Sequence, residues 1–235
     1  MKSVLLTRSL EDNYDIIREL EQDHLKNYSF KYICSPLVEY QALPLDITLL
    51  HDYPNVIITS KFAAKILAGH QNLEKKNMWV VGNSSRLILE QNNFVVQYVA
   101  TNIQNLLENI PPEIYNQTIY LSSNEITQDL PQAIKRHIIY RVKYATRLHQ
   151  IAEIEKGINF ILLYSQNSTK IFIELLIKNN LLKLLANSLV ITISKKVANI
   201  ISSFTKNVVY CDDGQPQQML ELLIYNAQNN AEIRN

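Results

Sequence analysis

The chain has 235 residues, enough for one large domain or two small ones, and 47% of them are apolar, which predicts packed cores and excludes a disordered chain. A formal net charge of +1 excludes a global field for nucleic acid or an anionic membrane, so a charged ligand has to be met by a local patch. Cys34 and Cys211 form no CxxC pair, no secretory signal is read at the N-terminus, and no apolar run approaches the roughly 20 residues of a membrane span; a cytoplasmic location is expected.

Short β-rich runs alternate with helical patterns along the chain. Strands are predicted at 3–7, 30–34, 55–59, 78–81, 95–99, 118–122, 137–144, 159–164, 189–193 and 207–211. Most are continuously apolar, as parallel strands covered on both faces are. Helices are predicted near 11–26, 61–71, 84–92, 102–110, 124–135, 167–180, 195–204 and 216–228. The first has Ser9 as N-cap with Glu11 and Asp12 in its first turn, and the last has Pro216 near its start. This alternation means α/β with mostly parallel sheets.

The order of segments repeats. "NVIITSKFAAKIL" (55–67) pairs with "NFILLYSQNSTKIF" (159–172), "WVVGNSSRLIL" (79–89) with "VITISKKVANII" (190–201), and "VLLTRSLED" (4–12) with "IYLSSNEIT" (119–127). A tandem duplication of one α/β unit is expected, and its period is far too long for a solenoid. Two mixed apolar and polar stretches, "PLVEYQAL" (36–43) and "RHIIYRVKY" (136–144), occupy matching places. They read either as an antiparallel link between two sheets or as ordinary edge strands.

Hydroxyl and small residues gather where strands give way to helices: Thr7-Arg8, Thr59-Ser60-Lys61, Gly82-Asn83-Ser84-Ser85, Ser122-Ser123 and Ser165-Gln166-Asn167. Singly each Ser is an N-cap; together such ends offer backbone N–H groups and hydroxyl donors to an anion. From Lys135 to His149 the chain carries Lys135, Arg136, Arg141, Lys143 and Arg147 with two His and no acid. That ribbon either meets carboxylates or is a solvated charged edge. No GxSxG, Walker A, GxGxxG or HExxH pattern is present, and the five His are scattered, so no metal set is read. No nucleic-acid motif accompanies the basic ribbon.

"VLLTR", "SPLVEY", "VIITSKFAAKIL", "VVGNSS", "IIYRV" and "ILLYSQNSTKIF", taken in this order, resemble the uroporphyrinogen-III synthase family over essentially the whole length. The resemblance implies two flavodoxin-like parallel-sheet domains joined by a two-stranded connector. Domain one would combine 1–35 with 145–235; domain two would be 36–144, including connector strands near 36–43 and 137–144. It further implies a cofactor-free, monomeric lyase that cyclises the linear polycarboxylate tetrapyrrole hydroxymethylbilane, with inversion of its last ring. Tyr140 in "IIYRV" matches the family's connector tyrosine and would act at the departing oxygen. Thr7, Arg8, Ser60, Lys61, Gly82, Asn83, Ser85, Ser122, Ser123, Arg141, Ser165, Gln166, Ser194 and Lys195 would contact the substrate. Ser85 keeps the hydroxyl of a family threonine. "ISKKVA" departs from the pattern, with Ser194 in place of a glycine and Val197 in place of a threonine, which puts that loop's geometry in doubt. Lys195 and Lys196 are then the substitute anion contacts. A two-lobed small-molecule binding or sensor protein without turnover is the other function these residues allow.

Overall fold

The computed structural model describes residues 1–22, 29–70, 73, 75–126, 128–212 and 214–229. In chain order its elements are β1 (Lys2–Leu6), α1 (Leu10–Gln22), β2 (Phe30–Cys34), β3 (Val38–Ala42), a 3-10 helix (Ile47–Asp52), β4 (Asn55–Ile58), α2 (Lys61–Ala68), β5 (Asn77–Val81), α3 (Asn83–Gln91), β6 (Val95–Ala100), α4 (Ile103–Asn109) and a second 3-10 helix (Pro112–Gln117). They continue with β7 (Thr118–Ser123), β8 (Lys135–Tyr144), α5 (Ile151–Glu155), β9 (Phe160–Leu163), α6 (Gln166–Lys178), α7 (Leu184–Asn187), β10 (Leu189–Thr192), α8 (Lys195–Ile201), β11 (Val208–Tyr210) and α9 (Pro216–Asn229). The chain forms two compact units, one from Met1–Glu39 with the chain from Tyr144 onward, the other from Tyr40–Lys143.

The first unit holds a five-stranded sheet in the order β11-β10-β9-β1-β2, with every adjacent pair parallel. Parallel strands need covering on both faces, and the apolar residues alternate accordingly. Leu5, Ile161, Leu163 and Val190 pack with Phe172, Leu176 and Ile201 of α6 and α8 on one face. Val4, Leu6, Phe160, Leu162 and Ile191 pack with Ile16, Leu20, Met219 and Leu223 of α1 and α9 on the other. A continuous apolar run is thus the sum of two alternating sets.

The second unit holds a six-stranded sheet in the order β3-β8-β7-β4-β5-β6. Val56, Ile58, Met78, Val80 and Leu121 pack under α2 and α3, while Ile57, Trp79, Tyr98 and Tyr120 face α4 and the segment around Ile134. From β8 to β6 the parallel order has the form of β2 to β11 in the other sheet, with β7 standing where β1 stands. β3 is an edge strand. Leu43 N–H donates to Ile139 O (2.8 Å) and Ala145 N–H to Leu37 O (3.0 Å), so β3 and β8 run antiparallel, the exception in an otherwise parallel-dominated architecture.

The strands agree with the expected runs to within a few residues. Part of the first predicted helix, 23–26, and the end of the second, at 71, lie outside the described residues. The helix expected over 124–135 does not form. Ile126, Leu130 and Ile134 have helical spacing, but Pro131 removes a backbone donor and forces Leu130 away from the α region. The three apolar residues reach the same core from an irregular segment closed by Ile134 N–H to Pro131 O (2.9 Å). The 3-10 helices and the short α5 and α7 were not legible, because one or two turns leave no periodicity.

One ion cluster gives a pH-dependent expectation. Glu153 of α5 accepts from Lys156 (2.6 Å) and from Lys31 of β2. The hydrogen bond from Lys156, then that from Lys31, lowers its carboxyl from the ordinary 4.5 to about 2. A folded-state value below the unfolded one stabilises the native state above pH 4.5, and that contribution fades as pH falls toward 2. The group is partly exposed, so the contribution is small. Lys31→Met should move the Glu153 carboxyl midpoint upward in a 13C NMR titration and flatten the acid loss of thermal stability in that window.

Candidate functional site

In the second unit the carboxyl ends of β4, β7 and β8 bring polar groups together. Ser60, two residues past β4, has extended backbone (φ −143°, ψ 145°) and caps α2, its Oγ accepting from Ala63 N–H (3.1 Å). The same Oγ accepts from the Tyr140 phenol at 2.9 Å. One serine therefore joins a helix start to the hydroxyl of β8.

Tyr140 reaches Ser60 because β8 is bulged. Ser122 of β7 faces Ile138, but Ser123 faces Tyr140, so Ile139 is an extra residue. A bulge breaks strict alternation and re-aims the side chain that follows. Ile139 and Tyr140 consequently enter the same core, although they are consecutive in a strand. The Tyr140 ring is fixed edge-on by Phe62 (5.1 Å, 64°) and Tyr40 (5.8 Å, 89°). Only 7% of the residue is exposed.

A second hydroxyl pair lies one residue back. Thr59 Oγ1 and the Tyr120 phenol are 2.8 Å apart. Burial pushes the Tyr120 phenol up, and the Thr59 hydrogen bond partly offsets it. No helix N-terminus follows Ser122-Ser123, which corrects the expectation for that pair. Instead Arg136 closes the turn, with Nε donating to Ser122 Oγ (2.9 Å) and Nη2 to Ser123 O (2.7 Å) and Asn124 O (3.1 Å). Both serines are buried.

At the end of β5, Gly82 takes φ +85° and caps α3 without a side chain. A side chain there would be strained by the backbone alone, although the space beside it is open. Asn83 and Ser84 are exposed, and Ser85 is buried in the first turn. Arg141 and Lys143 are exposed on β8, and Lys61 opens α2 half-buried.

The first unit places its expected residues differently. The Thr7 hydroxyl donates to Leu162 O and is buried. The Arg8 guanidinium sits 3.3 Å from Asp12 and 5.0 Å over the Tyr164 ring, and its backbone N–H donates to Asn13 Oδ1 (3.0 Å). Ser9 caps α1 by accepting from Asp12 N–H (3.2 Å), and its hydroxyl donates to the Asp12 carboxylate (2.8 Å). Among the described residues the buried Tyr164 hydroxyl has no hydrogen-bond partner, and burial pushes it well above the ordinary phenol range. Ser165 caps α6 by accepting from Ser168 N–H (3.1 Å), with Gln166 exposed beside it. Ser194 stands at φ −165°, ψ 161°, ordinary extended backbone, so its loop needs no glycine and differs in kind from the Gly82 loop. Lys195 and Lys196 are exposed.

Tyr120 and Asn124 are the site-forming residues that sequence reasoning missed. Tyr120 looked like core within an apolar run, and Asn124 looked like the first turn of a helix. Among the described residues, no group of three or more His, Cys, Asp or Glu is placed to hold a metal ion, and no helix is long and apolar enough to cross a membrane.

An uncharacterized protein of Rickettsia prowazekii (strain Madrid E) is 42% identical over an alignment of 275 residues, covering 97% of this chain and 99% of that one. The crystal structure of uroporphyrinogen-III synthetase from Helicobacter pylori 26695 is similar with a TM-score of 0.60 at 17% identity, covering 96% of this chain and 99% of that one. A mutant uroporphyrinogen III synthase from the extremely thermophilic bacterium Thermus thermophilus gives 0.53 at 12%, covering 97% and 99%. At such identities these two establish the fold. The sequence itself matches the uroporphyrinogen-III synthase HemD family over residues 19–221, and the chain therefore belongs to the uroporphyrinogen-III synthase family.

Proposed function

We propose that the protein is a hydro-lyase that cyclises hydroxymethylbilane to uroporphyrinogen III, with loss of water and inversion of ring D. The observation that carries this reading is the Tyr140 phenol, fixed by two aromatic rings and hydrogen-bonded to Ser60, the cap of α2. The reaction needs a proton at the departing hydroxymethyl oxygen. As the C–O bond breaks, its electron pair goes to oxygen and the phenolic proton completes a water molecule. Ring closure later releases a proton from the attacked pyrrole carbon, which restores the phenol. Ser60 holds the hydroxyl in place before substrate arrives.

The substrate carboxylates would be met by donors at strand ends. In the Tyr140 unit these are the α2 and α3 N-termini with Lys61 and Asn83, together with Arg141 and Lys143. Flexible polyanions react faster when held with their ends together, so much of the acceleration is expected from positioning.

The test is to supply hydroxymethylbilane made in situ and separate the type III from the type I isomer, since the uncatalysed reaction gives type I. Type III formation supports the reading. Saturable binding with type I alone would support a binding protein without turnover. Replacing Arg141 and Lys143 together should raise KM several-fold, more at low salt than at high, with circular dichroism unchanged. An unaltered KM in that variant would remove the exposed basic face of β8 from substrate binding.

A further inference from the structure

The β8 bulge is held from outside the strand. β7 ends at Ser123, while β8 runs on to Tyr144. Beyond that end, no strand among the described residues pairs with the backbone groups of β8 on the β7 side. Asn124 takes over the ladder with three different groups. Its N–H donates to Tyr140 O (3.1 Å). Its side-chain Oδ1 accepts from Val142 N–H at 2.7 Å, standing in for a strand carbonyl. Its own carbonyl accepts from Arg136 Nη2 (3.1 Å), so the residue is tied down from behind. Together these fix the backbone from the Tyr140 carbonyl to Val142, the stretch that directly follows the inserted Ile139 and Tyr140.

We propose that Asn124 is a positioning residue for the Tyr140 hydroxyl: its side-chain oxygen holds the bulged segment in the one arrangement that points the phenol at Ser60. This rests on the reading of Tyr140 as the proton donor for its kinetic consequence, but not for its structural one. A bulge without this support can relax toward regular alternation, which would turn the ring away from the α2 face. The role belongs to an acceptor at this position rather than to the amide as such. An aspartate therefore keeps it and an alanine does not.

The experiment compares Asn124→Ala, Asn124→Asp and Tyr140→Phe in the full chain, with tyrosines carrying 13C at the ζ position. The Tyr140 resonance is identified by its loss in Tyr140→Phe. In Asn124→Ala that resonance should shift or broaden, and in Asn124→Asp it should stay at the wild-type position. kcat for type III formation should fall by roughly fivefold or more in Asn124→Ala, with KM within about twofold, and recover in Asn124→Asp. In the Tyr140→Phe background Asn124→Ala should add little further loss. An unmoved Tyr140 resonance in folded Asn124→Ala overturns the proposal whatever the rates are. If the resonance moves while Asn124→Ala and Tyr140→Phe both keep wild-type kcat, the positioning stands and the catalytic reading of Tyr140 falls.

Discussion

Tyr140→Phe should lower kcat for type III formation by roughly 10- to 1,000-fold and leave KM nearly unchanged. The substitution deletes only the phenolic O–H. The ring keeps its edge contacts with Phe62 and Tyr40, and the Tyr140 carbonyl keeps the hydrogen bond from Asn124 N–H, so the site's shape survives. Ser60 loses one donor but goes on accepting from Ala63 N–H, so α2 remains capped. The folding cost is therefore that of one neutral hydrogen bond, about 1 kcal/mol. Steady-state isomer analysis with circular dichroism as a folding control measures both effects. A folded Tyr140→Phe protein with wild-type kcat would leave the site working through backbone donors and shape alone.

The largest effect on stability is expected at Phe172. Its side chain is fully buried on α6 against Leu5, Ile161 and Leu163 of the central strands β1 and β9. Phe172→Ala removes most of the ring from a layer whose backbone cannot close the gap, which costs about 3–5 kcal/mol. Chemical denaturation should show the midpoint of the unit formed by Met1–Glu39 and the chain from Tyr144 onward fall sharply, with little change in slope. Tyr225→Ala on α9 is the matched control. That ring is 61% exposed, so its loss should change stability by no more than about 0.5 kcal/mol. Equal losses in the two variants would contradict the packing described.

Sheets were legible because burial on both faces leaves no polar side to a strand. "VLLT", "NVII" and "FILL" could be little else once helical patterns stood between them, and β1, β4 and β9 are correspondingly sealed. Capping serines were legible for a similarly local reason. Ser9, Ser60 and Ser165 lie within three residues of the amides they accept from, so their roles are set by chain proximity. The spacing of Ile126, Leu130 and Ile134 misled because apolar periodicity records which residues meet a core, and an irregular segment can deliver them too. Pro131 was the signal against a helix there.

What the sequence alone determined, then, is the alternation of buried strands and covering helices, the caps, and the set of hydroxyl and basic residues at strand ends. The tertiary structure decided which of those residues meet. Strand order put β4 beside β7 and β7 beside β8, and so brought Ser60 and Tyr140 together from 80 residues apart. The inserted Ile139 decided which face Tyr140 takes, and a register shift shows only against the partner strand. Thr59 met Tyr120, and Arg136 and Asn124 closed the end of β7 that a helix was expected to close. These are pairings between segments distant in the chain, and local pattern carries no information about them because each residue alone is equally content in solvent or in a different partner's reach.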